Sequence, residues 1–138
     1  MKRSPYTELY LHLVWGTYGR LPLITPEMQP RVYGALAHQC HALGAEVIAI
    51  GGICDHVHVL VRFPTTISIA EFVGKVKGAS SHFVTHVLRS AEPFRWQGGY
   101  GAFTVSKRNV PAVRAYVLNQ EAHHRDRTTH PALERAEE

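Results

Sequence analysis

A chain of 138 residues, 45% of them hydrophobic, is one domain with room for a core and not a disordered chain. No apolar run approaches ~18 residues and "MKRSPYTELY" lacks the apolar stretch of a leader, so neither a membrane span nor a signal peptide is expected. The net charge of +4 rises to +6 over residues 1–130 once the acidic end "PALERAEE" is set aside, a balance compatible with a phosphate-rich partner, and two cysteines, Cys40 and Cys54, are too few for a disulfide framework and fit a reduced cytoplasm.

In chain order, "LYLHLVWGTY" (9–18) reads as a strand with Leu9, Leu11, Leu13 and Trp15 on one face. Thr25-Pro26-Glu27 signals a helix start, Val32, Leu36, Cys40 and Leu43 recur at helical spacing, and Gly44 suits the stop. "EVIAIGGI" (46–53) and "HVHVLVRF" (56–63) are two strands joined by a turn short enough to make them antiparallel. Ser68 and Glu71 form a capping box opening a long helix that carries Ile69, Phe72, Val73, Val76, Phe83, Val84 and Val87 inside. "YGAFTVS" (100–106) is the fourth strand. Asn109 can cap a last helix, with Pro111 in its first turn and Val113, Tyr116, Val117 and Gln120 along it. The order β-α-β-β-α-β plus one extra helix predicts an α+β fold: a ferredoxin-like (RRM-like) four-stranded antiparallel sheet in one domain over residues 1–130, followed by a flexible acidic tail over 131–138.

The third strand carries the chemistry. Side chains alternate along a strand, so Val57, Val59 and Val61 turn towards the two core helices while His56 and His58 turn the other way, beside Leu60. The extra helix is the candidate cover for that face. An H-x-H pair is a seat for a metal ion, and it is equally the mark of two strand histidines with none. Tyr116 and Gln120 are four apart and share a helix face; alone they read as a core-edge tyrosine and a solvent-facing glutamine. Together with the histidines they make a chemistry. Two imidazoles and an amide oxygen can hold a hard divalent ion with positions left open, and a tyrosine nearby is a nucleophile for a phosphate polarised there.

These stretches resemble the single-tyrosine HUH transposases, the small TnpA enzymes of minimal insertion sequences. The matching segments are "LYLHLVWGTYGRLPLI", "IGGICDHVHVLV", "KVKGASSHFV", "FRWQGGYGAFTVS" and "YVLNQEAHH", in the family's order over most of residues 7–127. The resemblance implies that His56, His58 and Gln120 bind Mg²⁺ or Mn²⁺. It implies that Tyr116 attacks single-stranded DNA, leaving a 5′-phosphotyrosine and a free 3′-OH. It further implies DNA hairpins at the element's ends as the substrate, and a homodimer with the histidines of one chain facing the tyrosine of the other. The setting would be a bacterial or archaeal cytoplasm, at the nucleoid.

Basic and polar residues give weaker signals. Lys75, His82 and Arg89 are spaced by seven and can form a stripe, with Lys77, Ser80 and Ser81 close in sequence; a solvated helix face is an equal reading, and the resemblance tilts them towards phosphate contacts. His123, His124 and Arg125 follow the last helix as a DNA-facing or interface cluster. Trp96 and Tyr100 could stack bases, although core packing suits Trp96 better. His12 is placed to share the face of His56. Asp55, by its parity, shapes the turn rather than touching metal, and Cys54 has no assigned role. Two other readings stand beside the transposase: a domesticated, inactive hairpin-DNA-binding relative, and a binding domain stabilised by zinc on Cys54, His56 and His58 with Cys40 or His41.

Overall fold

The computed structural model describes residues 5–136. Four strands, β1 (Tyr10–Gly16), β2 (Glu46–Ile53), β3 (His56–Arg62) and β4 (Gly101–Val105), form one antiparallel sheet in the order β2-β3-β1-β4. Helices α1 (Gln29–Ala42) and α2 (Ile69–His82) cover one face. Two shorter helices, α3 (Val110–Leu118) and α4 (Gln120–Asp126), follow β4. The α+β, ferredoxin-like sheet read from the sequence is the fold observed.

Alternation decides which face is which. Val57, Val59 and Val61 of β3 pair with Trp15, Leu13 and Leu11 of β1. These six join Val32, Leu36 and Cys40 of α1 and Phe72, Val73 and Val76 of α2 in the main core. Leu9 is half-exposed and precedes β1, so it does not continue that face as expected. Ser68 caps α2 by accepting a hydrogen bond from the Glu71 amide. The helix α1 starts at Gln29, later than Thr25-Pro26-Glu27 suggests, because residues 26–28 form a turn first. Its stop is as expected: Gly44 N–H donates to His41 and Ala45 N–H to Cys40, satisfying the last carbonyls with Gly44 at φ 93°. The long second helix is not α-helical throughout. It changes to a π-helix over Phe83–Leu88 and ends at Arg89, which takes a left-handed conformation.

The other face of the sheet carries His12, His56, His58 and Leu60, and α3 lies across it. Val117, Leu60 and Ala49 form a second, smaller core there. Burying Leu60 and Val117 completely contributes about 1.5–3 kcal/mol each. The helix lies so close that a Cβ on Gly51 would fall 1.9 Å from the Val117 carbonyl oxygen, so only glycine fits at that point of β2. Asn109 does not cap α3 with its side chain; a 3₁₀ turn over Lys107–Asn109 leads in instead.

Candidate active site

His56 and His58 sit at the start of β3 with no exposed surface, opposite Gly16 and Val14 of β1 and Ile53 and Gly51 of β2. Each ring is held at its Nδ1. His56 Nδ1 lies 2.7 Å from Asp55 Oδ1, so the turn residue touches the histidine ring after all, contrary to what strand parity suggests. His58 Nδ1 shares a 2.8 Å hydrogen bond with His12 Nε2, from the neighbouring strand. The two Nε2 atoms are thereby aimed away from the sheet. A carboxylate that fixes a histidine at Nδ1 and leaves Nε2 free is the usual support behind a metal-binding imidazole.

The helical half comes from α3 and α4. Tyr116 and Gln120 both face the histidines and are buried at 5% and 1% exposure. The single helix expected through both residues is broken at Asn119 (φ −109°, ψ 29°). The break leaves their i, i+4 relation usable: Gln120 Nε2 donates to the Tyr116 carbonyl at 3.2 Å, which turns Oε1 towards His56 Nε2 at 3.3 Å. One turn further, His124 Nε2 lies 3.1 Å from the same Gln120 Oε1. The Tyr116 ring stands edge-on to His58, with centroids 5.9 Å apart, and is flanked by His123 at 4.6 Å and His130 at 4.9 Å.

A third contribution arrives from the far end of the chain. Residues 130–136 cross the histidine face, with a 3₁₀ turn at Pro131–Leu133. The Glu134 carboxylate lies between the histidines and the tyrosine. It is 3.2 Å from His56 Nε2, 3.2 Å from His58 Nε2 and 3.3 Å from His124 Nε2, and it accepts a hydrogen bond from the Tyr116 hydroxyl. The strap is fastened on both sides. Gln97 Nε2 donates to the Ala136 carbonyl at 2.7 Å, and His130 N–H donates to the Tyr116 oxygen at 3.0 Å. The Arg135 carbonyl passes so near Gly101 that a Cβ there would lie 1.9 Å from it. A loose acidic tail from residue 131 does not anticipate this placement; of that tail, Glu137 and Glu138 lie outside the described residues.

The electrostatics follow from burial and from this carboxylate. Burial pulls His56 down, but Asp55 and Glu134 outweigh it and its net shift is upward. His58 is held low by burial, which Glu134 only partly offsets. His12, buried behind it, falls to about 3. Burial opposes ionisation of Glu134, yet hydrogen bonds from His56 and His58 carry it well below the usual carboxylate range. Tyr116 is pushed up to about 12, by burial first and by Glu134 second.

The donor set fits a divalent cation. With its Nδ1 proton on Asp55, a neutral His56 presents a lone pair at Nε2 towards two oxygens, Gln120 Oε1 and Glu134 Oε1. Lone pairs converging without a proton between them are satisfied by protonating His56 or by a cation. Among the described residues, His56, His124 and Glu134 offer ligand atoms that all lie within 4.8 Å of one another. No cysteine joins them. Cys40 is in the main core on the opposite face of the sheet and Cys54 is exposed in the β2–β3 turn, so the zinc site with cysteine ligands does not form.

The residues expected to meet DNA are scattered. Lys75, His82, Arg89 and Arg125 are exposed and Ser81 is half-buried. Arg89 lies beyond the π-helical stretch, which holds an extra residue per turn, so a seven-residue spacing across it does not return to one face. Ser80 is corrected outright: it is fully buried, donates to the Val76 carbonyl and accepts from Trp96 Nε1. Lys77 is half-buried and braces the 97–99 loop through the Gln97 and Gly99 carbonyls. Trp96 packs on Trp15 and Phe94, in the core as expected. His123 packs tilted against Tyr116, and His124 belongs to the histidine cluster rather than to an outer surface.

Comparison with known proteins agrees with this arrangement. The family profile "Transposase IS200 like" matches residues 5–120. The ISDra2 transposase TnpA of Deinococcus radiodurans is 27% identical over 118 residues, covering 82% of this chain and 84% of that protein. A crystal structure from Deinococcus radiodurans R1, described as that of a candidate transposase, has a TM-score of 0.67 at 26% identity, over 87% of this chain and 98% of that one. A REP-associated tyrosine transposase bound to a REP hairpin shares the fold, with a TM-score of 0.64 at 12% identity over 90% of this chain and 73% of that one. The profile spans the sheet, both core helices and the Tyr116–Gln120 pair, and the chain therefore belongs to the IS200-like transposase family.

Proposed function

We propose that this transposase cuts and rejoins single-stranded DNA at the ends of an insertion sequence, through a 5′-phosphotyrosine on Tyr116 and with a divalent metal held by His56, His58 and Gln120. The observation that carries this reading is the position of the Glu134 carboxylate. One of its oxygens faces the Nε2 atoms of His56 and His124, and the other takes the Tyr116 hydroxyl. A phosphate seated in the same place would meet the nucleophile and the metal ligands together.

Tyr116 Oη attacks the phosphorus, the P–O3′ bond breaks, and the phenol proton passes to water as the 3′ oxygen takes one up. The phosphodiester energy is kept in the tyrosyl ester, so the reverse attack by a 3′-OH rejoins strands without ATP. A divalent ion on these ligands supplies Mg²⁺- or Mn²⁺-type polarisation of the phosphate oxygens and offsets their charge. Gln120 ties its own position to that of the nucleophile, because its amide donates to the Tyr116 carbonyl. His123 and His130 both pack against the phenol ring and against each other.

The substrate of this reading is a hairpin-bearing single strand, supported by the likeness to a hairpin-bound relative. A flexible strand can bring one phosphate to a tyrosine that is 5% exposed, and a regular duplex cannot. The assembly is a homodimer that holds two DNA ends about a twofold axis. In the chain described here Tyr116 lies over its own β3, and exchange of α3 between two chains would use the same seat. A second reading, a hairpin-binding relative that does not cut, is favoured by the strap on Tyr116. Incubation with labelled single strands from the flanks of the gene separates the two. A covalent adduct in the natural protein and none in Tyr116→Phe supports the transposase; binding without an adduct supports the other.

A further inference from the structure

We infer that His124 is a fourth protein ligand of the metal ion, giving a three-imidazole, one-amide set that selects Mn²⁺ or a later first-row ion over Mg²⁺. This rests on the metal reading above and adds to it both a residue and a choice of ion. His124 lies beyond the segment that matches the family profile.

Placement comes first. His124 is one helical turn after Gln120 on α4, so the two side chains leave the helix on the same side. Its Nε2 is 3.1 Å from Gln120 Oε1 and 3.3 Å from Glu134 Oε1, and its ring meets that of His56 at a centroid distance of 4.8 Å. His123, the next residue back, turns to the tyrosine instead.

The spacings suit ligands of one ion better than a hydrogen-bond network. Metal–ligand bonds of about 2.1 Å put neighbouring ligand atoms roughly 3.0 Å apart in an octahedron and roughly 3.4 Å apart in a tetrahedron. The contacts among His56 Nε2, Gln120 Oε1, His124 Nε2 and Glu134 Oε1 are 3.3, 3.1, 3.3 and 3.2 Å around the ring. A charge-assisted hydrogen bond is shorter, about 2.7–2.9 Å, as the 2.7 Å His56–Asp55 pair shows in this molecule. The proton count agrees at His56: with its Nδ1 proton on Asp55, a neutral His56 has none left at Nε2 to give to Gln120 Oε1, which can only accept.

The ligand types set the ion. Two imidazoles and an amide leave Mg²⁺ acceptable, but each added imidazole favours later first-row ions, which bind nitrogen more strongly. Glu134 then takes the exchangeable position, the one a DNA phosphate needs.

The test uses the full chain, stripped with a chelator and titrated with Mn²⁺ by electron paramagnetic resonance, with Mg²⁺ as competitor. Nitrogen-coupling spectra on the bound Mn²⁺ count coordinated imidazoles. The natural protein should bind Mn²⁺ at least tenfold more tightly than Mg²⁺ and show three imidazoles. His124→Ala should lose about tenfold or more in Mn²⁺ affinity, lose less for Mg²⁺ and show two imidazoles, with an unchanged melting temperature. His38→Ala, an exposed histidine on α1, serves as the control and should match the natural protein. An unchanged imidazole count and ion preference in His124→Ala, while His56→Ala abolishes binding, overturns the role of His124 alone. A natural protein that binds neither ion, or a His56→Ala variant that binds normally, overturns the metal reading itself.

Discussion

Two carboxylates hold His56 from opposite ends of its ring, Asp55 at Nδ1 and Glu134 at Nε2. They do different work. Asp55 fixes the orientation, and its loss leaves Nε2 free to turn; supporting residues of this kind are worth 10–100-fold in metal affinity. Asp55→Ala should therefore weaken Mn²⁺ binding by about that factor in a titration, while Tyr116 stays buried. His12 offers a second prediction. Its folded pKa of about 3 lies below the ordinary histidine value of about 6.5, so the unfolded chain takes up the extra proton first. The stability tied to a neutral His12 is complete above pH 6.5 and is lost progressively towards pH 3. His12→Gln lacks this titration, so its urea midpoint should fall less than that of the natural protein across that window. At this scale the sequence was partly legible. The alternation in "HVHVLV" marked the histidine face, and the four-residue step from Tyr116 to Gln120 placed two polar groups on one side, whereas His124 read with His123 and Arg125 as a DNA-facing or interface cluster. Asp55 was not legible, because parity describes a strand and Asp55 stands in the turn before it. Ser80 was misleading, since a serine between Lys77 and His82 reads as solvated until Trp96 claims it as a partner.

At the scale of elements, α3 and the strap share one face of the sheet and both depend on glycines beneath them. Gly51 lets α3 reach the sheet, and Gly51→Val would lift Val117 and carry Tyr116 away from His58. That variant should keep its main core, read by circular dichroism, and lose cleavage. The strap acts in the opposite direction. It covers Tyr116, joins in raising its pKa to about 12 and fills the place a phosphate would take. A chain ending at Thr129, or carrying Glu134→Ala, should cut single strands faster than the natural protein in single-turnover assays; an unchanged or slower rate would show that the strap does not stand in the way of DNA. The sheet, the two core helices and the Ser68 cap could be read from periodicity and end signals. The break at Asn119 and the π-helical end of the second helix could not, because the helical spacing of Val113, Tyr116, Val117 and Gln120, and of Val76, Phe83, Val84 and Val87, runs on through both. The strap escaped notice for a simpler reason: "PALERAEE" is acidic and lacks an apolar period, and its partner residues lie far away in sequence.

For the whole molecule, the net charge is +4, and at the site the Glu134 carboxylate stands between His56, His58 and His124. Binding to single-stranded hairpins should weaken steeply as salt rises, since lysine and arginine contacts release counterions. The dimer is tested by mixing a Tyr116→Phe chain with a chain carrying His56→Ala and His58→Ala: recovery of cleavage in mixed dimers means that the sites are shared between chains, and no recovery in confirmed mixed dimers means that each chain builds its own, as in the placement seen here. Everything functional depends on Tyr116 as the nucleophile. The direct measurement is mass spectrometry of the protein after incubation with a hairpin-bearing single strand from the flanks of its gene and Mn²⁺. A DNA adduct mapped to Tyr116, lost in Tyr116→Phe and on chelation, is the expected result. An adduct on another residue, or undiminished cleavage by Tyr116→Phe, would contradict the assignment.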